Sequence, residues 1–395
     1  MNQPVFLHIV ERLEGFLHKL PASIQKPILH ELTPLKQLFL QQRAPRFVLT
    51  GWNRLPVQEV IATLFASAEP GDLRNVLMEV FRWQNISAGG RGAIAILDAR
   101  GADEPALRKI EDELGREPAD MFLHLADGSS ARPALARDLD LLAKLHGSAA
   151  AAETKIVGIS LLAAAGKRGA ATESKTERAT VQSKLQAAFA EKAALRDHVV
   201  DVIEMPVVSA GESLPVSAAA AQLMALLARE LPNEARVEMI RISGDREAQM
   251  HVAQVLVKST SAISTAIGAQ PIPLADLPIL TTLQLVMVSG IMYLSGRERS
   301  LRAATEFVGA LGVNVGAGMI LREGARAVLK FFPGWGNVVC GMVAGAGTYA
   351  LGRAAIVYFL EGVSLKDARR TYLRSQKKKV RPKLLASESP EPSSR

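Results

Sequence analysis

Residues 47–58 read Phe-Val-Leu-Thr-Gly-Trp-Asn-Arg-Leu-Pro-Val-Gln, an apolar run followed by a turn and by the start of a helical apolar pattern. A phosphate-binding loop has this frame, since its form G-x-x-x-x-G-K-[ST] lies between a buried strand and a helix. Gly51 holds the first position, but Pro56, Val57 and Gln58 stand where the second Gly, the Lys and the Ser or Thr belong. The frame predicts the fold of a phosphate-binding domain, and the missing groups argue against its chemistry.

Each missing group has a task in a working loop. The Lys neutralises phosphate charge, and the hydroxyl holds Mg²⁺. Pro56 also lacks the N–H that could donate to a phosphate. Removing one such preorganised group costs about 3–4 kcal/mol in a transition state. We therefore expect no catalytic residue and neither GTP nor Mg²⁺ as a resident cofactor, while binding of a nucleotide without hydrolysis remains the alternative.

The remaining positions of a nucleotide site carry only weak remnants. The Asp98-Ala99-Arg100-Gly101 segment follows an apolar run, as an Asp-x-x-Gly motif on the metal side would. No Asn-Lys-x-Asp follows the apolar run at 155–160, and the seven histidines are scattered without the spacing of metal ligands. The candidate nucleotide-binding residues are Gly51, Asn53, Asp98, Gly101, Ser209 and Ala210.

Strand and helix patterns alternate from residue 46 to residue 231. Apolar strand candidates lie at 46–50, 93–98, 120–126, 155–161 and 199–208. Helical patterns lie at 57–67, 104–115, 133–146, 178–195 and 216–231. Regular alternation of this kind predicts an α/β domain in which helices cover both faces of a parallel sheet.

Further segments flank this domain. We expect amphipathic helices over 1–45, a helical connector over 232–270 with an irregularity at Ser243–Asp245, a hydrophobic helical domain over 271–365, and a basic, then disordered tail over 366–395. In the hydrophobic domain, Leu277–Gly296 has no charged residue and Gly336–Leu360 has only Arg353. At about 1.5 Å per residue, each is long enough for a transmembrane helix.

The charges next to these stretches leave their arrangement open. Six basic residues between 297 and 335 would be exported by two spans, against the positive-inside tendency. A hydrophobic hairpin inserted from the cytoplasmic side and a buried helical bundle both avoid this conflict. The spacing of Gly341 and Gly345 allows close helix packing in either arrangement.

The C-terminal basic segment indicates an anionic partner. Nine Lys or Arg lie between Lys366 and Lys383 against one acid, Asp367, in a chain of net charge +8. Such a block suits anionic lipid headgroups. The aromatic content of 5% gives little means of stacking bases, so we expect no nucleic acid partner. Cys340 is the single cysteine, which fits a reducing compartment.

Two parts of the chain resemble a known bacterial arrangement. Residues 269–276 (AQPIPLAD) and 345–354 (GAGTYALGRA) resemble the YcjF-type hydrophobic domain, called domain of unknown function 697, over about residues 250–365. Residues 46–231 resemble an Era/TrmE-like P-loop GTPase domain with degenerate motifs. The resemblance implies an all-α hydrophobic domain at the cytoplasmic face of a bacterial inner membrane. The expected partners are membrane lipid or a membrane protein, and a homo-oligomer.

The function that we expect is a membrane-associated pseudo-GTPase that acts as a scaffold or regulator. The alternative is a divergent GTP-binding protein or GTPase with non-standard motifs, which would use the backbone at Gly51 and a metal near Asp98.

Overall fold

The computed structural model describes residues 41–65, 81–88, 91–128, 135–148, 153–162, 175–207, 217–269, 276–311 and 336–384, with short pieces between 25 and 36. Most of the predicted N-terminal helices, Ser209, Ala210, and the chain beyond 384 lie outside these residues. Two compact units are formed, one by residues 42–243 and the other by residues from 244 onward together with those before 42. Each unit is described by itself.

The first unit contains one six-stranded sheet. Its strands are β1 (Arg46–Gly51), β2 (Gln84–Ser87), β3 (Ala93–Asp98), β4 (Met121–Asp127), β5 (Lys155–Leu162) and β6 (Val199–Pro206). Their order is β2-β3-β1-β4-β5-β6, and every neighbouring pair is parallel except β2 with β3. The α/β class and the five predicted strands are confirmed.

Strand β2 differs from the prediction in two respects: it was not recognised, and it runs antiparallel at the edge. It has only four residues, of which Gln84, Asn85 and Ser87 are polar and Ile86 alone is fully buried. An edge strand needs one apolar contact with the sheet rather than a continuous apolar run, so its sequence signal is weak.

Helices lie between successive strands, and two more follow the last strand. They are α1 (Val57–Leu64), α2 (Glu104–Arg116), α3 (Leu135–His146), α4 (Lys175–Glu191), α5 (Ala218–Glu230) and α6 (Asn233–Ser243). Two of their starts are set by capping side chains: Asp103 accepts a hydrogen bond from the N–H of Ala106, and Ser217 accepts one from Ala220. Such caps satisfy backbone donors that the first helical turn leaves free.

Both faces of the sheet are covered. Successive β1 side chains point to opposite faces, so neighbouring residues of this strand show what packs on each. On one face the ring of Phe47 lies 5.2 Å from that of Phe65. On the other face Val48 belongs to a buried cluster with Phe122 and Leu142. In the strand order, β1 lies between β3 and β4, so its carboxyl end is at the centre of one edge of the sheet. Open α/β sheets usually bind ligands at such an end.

The second unit is helical. Its helices are α7 (Arg246–Gly268), α8 (Asp276–Leu294), α9 (Leu301–Ala310), α10 (Gly336–Phe359) and α11 (Leu365–Leu384). The irregularity expected at Ser243–Asp245 is present: Gly244 has φ +67°, and the Asp245 carboxylate caps α7 by accepting from the N–H groups of Glu247 and Ala248. This φ value is one that glycine adopts without strain.

Glycines set the contact between α7 and α10. A Cβ atom at Gly345 would lie 1.8 Å from Oγ1 of Thr265, and one at Gly341 would lie 2.6 Å from the carbonyl oxygen of the same residue. The prediction that this glycine pair allows close helix packing is confirmed. A hydrogen bond of 3.0 Å from Nε2 of Gln284 to Oγ1 of Thr348 joins α8 to α10.

The expectation of transmembrane helices at 277–296 and 336–360 has to be corrected. Among the residues that the structure describes, no helix combines the length and the apolar character needed to cross a membrane.

Candidate functional site

The loop from Trp52 to Pro56 joins β1 to α1 at the carboxyl end of β1. Asp98, at the end of β3, is the register partner of Leu49 on β1. A Cβ atom on Gly101 would lie 2.2 Å from Nδ2 of Asn53, so the Asn53 side chain lies directly against this glycine. The structure therefore brings together four of the six predicted site residues: Gly51, Asn53, Asp98 and Gly101.

Gly51 has a structural reason to be glycine. Its φ is +88°, and a Cβ atom there would lie 2.2 Å from the carbonyl oxygen of Leu125 on β4. That same oxygen accepts a 2.9 Å hydrogen bond from the N–H of Trp52. The first N–H of the loop is thus used within the sheet, and close packing against β4 is enough to require the glycine.

Arg100 pairs with Asp98 at the centre of this site. Its side chain is only 4% exposed, and that of Asp98 is 31% exposed. Nε donates to Oδ1 of Asp98 at 2.8 Å, and Nη2 donates to Oδ2 at 2.9 Å. Both carboxylate oxygens are therefore engaged by one guanidinium in the bidentate geometry that gives strong charge-assisted hydrogen bonds.

The same guanidinium also contacts the loop. Nη1 of Arg100 donates to the carbonyl oxygens of Leu55 at 2.9 Å and Trp52 at 3.3 Å. A phosphate-binding loop instead directs backbone N–H groups at its anion. This loop turns two carbonyl oxygens toward a fixed cation of the chain. A metal ion at Asp98 would first have to displace that cation.

A cleft of about 640 Å³ opens beside this loop, between α2 and α3. Trp52 and Leu107 line it, but most of its lining residues are charged. Five carboxylates line it: Asp103, Glu104, Asp127, Asp138 and Asp140. Three cations do so: Arg54, Arg137 and Lys144.

The charge balance of the cleft disfavours a polyphosphate. Carboxylates outnumber the lining cations, and although Lys192 pairs with Asp140, the lining offers no excess of positive charge to an anion. Lys144 is in addition paired with Glu104 at 3.0 Å. The carboxyl group of Asp138 is partly buried, and this burial raises its pKa. A small neutral or cationic group fits this lining better than a nucleotide does.

His124 lies beside the site without opening into it. Its Nδ1 is 3.0 Å from Oγ1 of Thr50, and its ring contacts the Phe189 ring edge-on at 5.5 Å. Complete burial lowers the pKa of His124 to about 4, so the ring is neutral at pH 7. Nε2 has no hydrogen-bond partner among the described residues. This residue contributes to the core and offers no accessible acid or base.

Reasoning from sequence missed Arg100, although one signal was available. An Arg stands inside the Asp-x-x-Gly segment, two residues after the Asp, where a turn lets the two side chains meet. Ser209 and Ala210 lie outside the described residues. Within the described residues, no three His, Cys, Asp or Glu side chains are grouped so as to hold a metal ion.

No protein-family model matches the chain. Magnetosome membrane protein 22 of Magnetospirillum gryphiswaldense is 30% identical to it over 136 residues. The match covers 32% of this chain and 68% of that protein. On this similarity, the chain belongs to the same protein family as magnetosome membrane protein 22.

Proposed function

We propose that this protein is a membrane-associated scaffold or regulator whose α/β unit is a pseudo-GTPase. The unit uses a P-loop GTPase-like frame for contacts with proteins and does not hydrolyse nucleotides. The six-stranded, mostly parallel sheet, with its loop at the centre of the carboxyl edge, is consistent with such a frame. We place the protein at the cytoplasmic face of a bacterial inner membrane.

The pairing of Arg100 with Asp98 carries this proposal. Both oxygens of the carboxylate that would face a metal ion are engaged by the guanidinium, and the loop carbonyls hold that guanidinium in place. Displacing it would leave a buried cation without its partners, which typically costs about 3–5 kcal/mol. A metal-bound nucleotide would have to overcome this penalty without the Lys and the hydroxyl of a working loop.

Membrane association rests on two observations. The family relative is named a membrane protein. The second unit is a bundle of apolar helices that ends in a strongly basic one, as expected for a domain that works against an anionic surface.

A divergent GTP-binding protein is the second candidate. The cleft beside Trp52 favours it, because about 640 Å³ is within the usual range of small-molecule sites. The acidic lining and the engaged Asp98 weigh against it.

Extraction of the purified full chain tests the pseudo-GTPase part. The protein is denatured with acid, and the released nucleotides are quantified by ion-exchange chromatography. We expect less than about one nucleotide per ten chains and no GTP hydrolysis above that of a buffer blank. Only a nucleotide bound with a dissociation constant well below about 1 μM would survive purification, and we expect no binding of that strength. One GTP or GDP per chain would favour the second candidate.

Fractionation of expressing cells tests the membrane part independently. Membranes are pelleted at low salt and washed with high salt and then with alkaline carbonate. We expect the full chain in the pellet at low salt, since both the apolar helices and the basic segment favour a membrane surface. Recovery of all the protein in the supernatant at low salt would refute membrane association and leave the nucleotide result untouched.

A further inference from the structure

Helix α11 has a buried side and an exposed side. Ala368 is 0% exposed and Tyr372 is 3% exposed, and burial raises the pKa of the Tyr372 hydroxyl to about 12. These two positions are four residues apart, so they lie on one side of the helix. That side packs within the helical unit, and the helix is therefore fixed in rotation about its own axis.

The opposite side presents cations to solvent. Lys366, Arg369, Arg370, Leu373 and Arg374 are all exposed. Each has a partner in this set three or four residues away along the helix, so the five lie on one side and form one stripe. We call these five residues the basic stripe. Arg370 makes a 3.3 Å ion pair with Asp367, and both side chains are more than half exposed.

Charge alone does not identify the partner of the basic stripe, but its leucine does. Leu373 is 46% exposed and Leu365, at the start of the helix, is 36% exposed. An exposed leucine among cations gains free energy by entering the boundary between lipid headgroups and acyl chains. Nucleic acid offers it no such environment, and the stripe has no aromatic side chain on which a base could stack.

We infer that the basic stripe of α11 is the surface that docks on anionic lipid headgroups, with Leu373 entering the membrane boundary. The inference rests on the proposed membrane association and specifies the lipid class and the residues responsible. The cations supply salt-sensitive attraction, and the leucine supplies a salt-insensitive part. Binding therefore depends on anionic lipid and does not require a spanning helix.

Vesicle flotation with the full chain tests this assignment. The probes are vesicles of neutral phosphatidylcholine with and without a third of anionic phosphatidylglycerol. The test variant is Lys366→Gln/Arg369→Gln/Arg374→Gln. Each cation near such a surface contributes about a five-fold factor in partitioning, so we expect a loss of roughly 100-fold on anionic vesicles. The wild-type protein should bind neutral vesicles at least ten-fold more weakly than anionic ones, as a rough lower bound.

A matched control removes the same charge elsewhere. The variant Arg108→Gln/Lys109→Gln/Arg196→Gln changes three exposed cations of the α/β unit. We expect its partitioning to stay within about two-fold of wild type, because none of these cations belongs to the basic stripe. Equal losses in the two triple variants would overturn the assignment and leave only a general effect of net charge. Equal thermal melts of all three proteins verify that each is folded.

The single variant Leu373→Ala separates lipid from other polyanions. We expect it to weaken partitioning by roughly 10-fold or more, because three carbons leave the apolar boundary at about 0.8 kcal/mol per CH₂, while the dependence on salt stays that of the wild type. Unchanged partitioning of this variant, together with salt-sensitive retention of the wild type on single-stranded DNA, would overturn the lipid assignment in favour of nucleic acid. A protein that binds GTP and still floats through the basic stripe would retain this inference and lose the pseudo-GTPase proposal.

Discussion

The carboxyl end of β1 and the outer side of α11 use arginine in opposite ways. Arg100 is 4% exposed, and its donors are taken by a carboxylate and by two backbone carbonyls of the same chain. Arg369 and Arg374 lie on the exposed side of their helix. In the first region the protein neutralises its own charge, and in the second it leaves the charge to solvent.

On our proposal, this difference decides where the molecule meets its partners. A charge that is already satisfied inside the fold has little further to gain from a ligand. An exposed cluster of one sign attracts anions over a distance set by salt. On our proposal, the region that looks like a nucleotide site is therefore the poorer binding site, and the basic helix α11 is the better one.

Removal of the Asp98 carboxylate should destabilise the carboxyl end of β1 more than any other change proposed here. Asp98→Ala leaves the Arg100 guanidinium buried without its carboxylate, and we expect a loss of about 3–5 kcal/mol in the free energy of unfolding. Urea unfolding followed by circular dichroism measures it. The change should appear in the midpoint, with little change in the slope, provided that the native state keeps its compactness.

The reciprocal variant is the control. Arg100→Ala leaves a carboxylate that is 31% exposed and that water can solvate, so we expect a smaller loss, about 1–2 kcal/mol. If Asp98→Ala costs no more than Arg100→Ala, Arg100 is not held as a buried cation and our account of the loop is wrong.

The buried His124 gives the same region a dependence on pH. Its pKa falls from an ordinary value of about 6.5 to about 4 in the folded protein. Between these two values the unfolded chain binds more protons, so stability decreases as the pH falls. We expect a contribution of about 3 kcal/mol to be lost from pH 6.5 down to 4, on the scale of 1.36 kcal/mol per pKa unit.

The variant His124→Gln isolates this contribution, because it removes the titrating ring and keeps a polar partner for Thr50. Urea midpoints across the acidic range should fall less steeply for the variant than for the wild type. Parallel pH profiles of the two proteins would show that His124 is not the group that titrates.

In the helical unit, two neighbouring glycines of α10 provide a matched pair. A Cβ atom at Gly345 would meet Oγ1 of Thr265 at 1.8 Å, whereas one at Gly347 would meet nothing within 4 Å. We expect Gly345→Ala to destabilise the protein by about 1–3 kcal/mol through overpacking. Gly347→Ala should be neutral or stabilise by up to about 1 kcal/mol, since alanine favours the helix.

Thermal melts of the two variants test this pair. Equal effects would mean that α7 and α10 are not in the close contact described above. A destabilised Gly347→Ala would show that this face of α10 is covered.

The smallest expected effect on stability comes from a variant that tests the basic stripe of α11. Asp367→Asn removes the one acid among the cations of α11, and Asp367 is exposed, so stability should stay within about 0.5 kcal/mol. Partitioning onto anionic vesicles should rise about five-fold, because the variant gains one unit of net positive charge at the surface. Flotation measures it, and weaker partitioning would contradict the role of the basic stripe.

The sequence predicted the α/β class well because the signals there are local. Apolar runs such as Phe47–Leu49 and Ile156–Ile159 form central strands that are buried on both sides, and helices with capping residues such as Asp103 lie between them. Strand β2 escaped detection because Ile86 is its single fully buried residue. Its pairing with β3 is a tertiary effect that no window of sequence contains.

The candidate site was predictable only in part. Gly51, Asn53, Asp98 and Gly101 could be named from motif positions, but not the use of Arg100. Whether an arginine turns toward a neighbouring carboxylate or toward solvent depends on the carbonyls of a loop 45 residues earlier in the chain. Transmembrane helices were expected from the apolar stretches alone, since sequence does not distinguish packing against lipid from packing against a neighbouring helix through Gly345.

Titration calorimetry of the full chain with Mg²⁺–GTP tests the central claim most directly, namely that an internal cation has replaced the metal and nucleotide at the carboxyl end of β1. We predict no saturable heat up to about 1 mM ligand, which corresponds to a binding free energy weaker than about −4 kcal/mol. A dissociation constant below about 10 μM, dependent on Mg²⁺, would contradict the account.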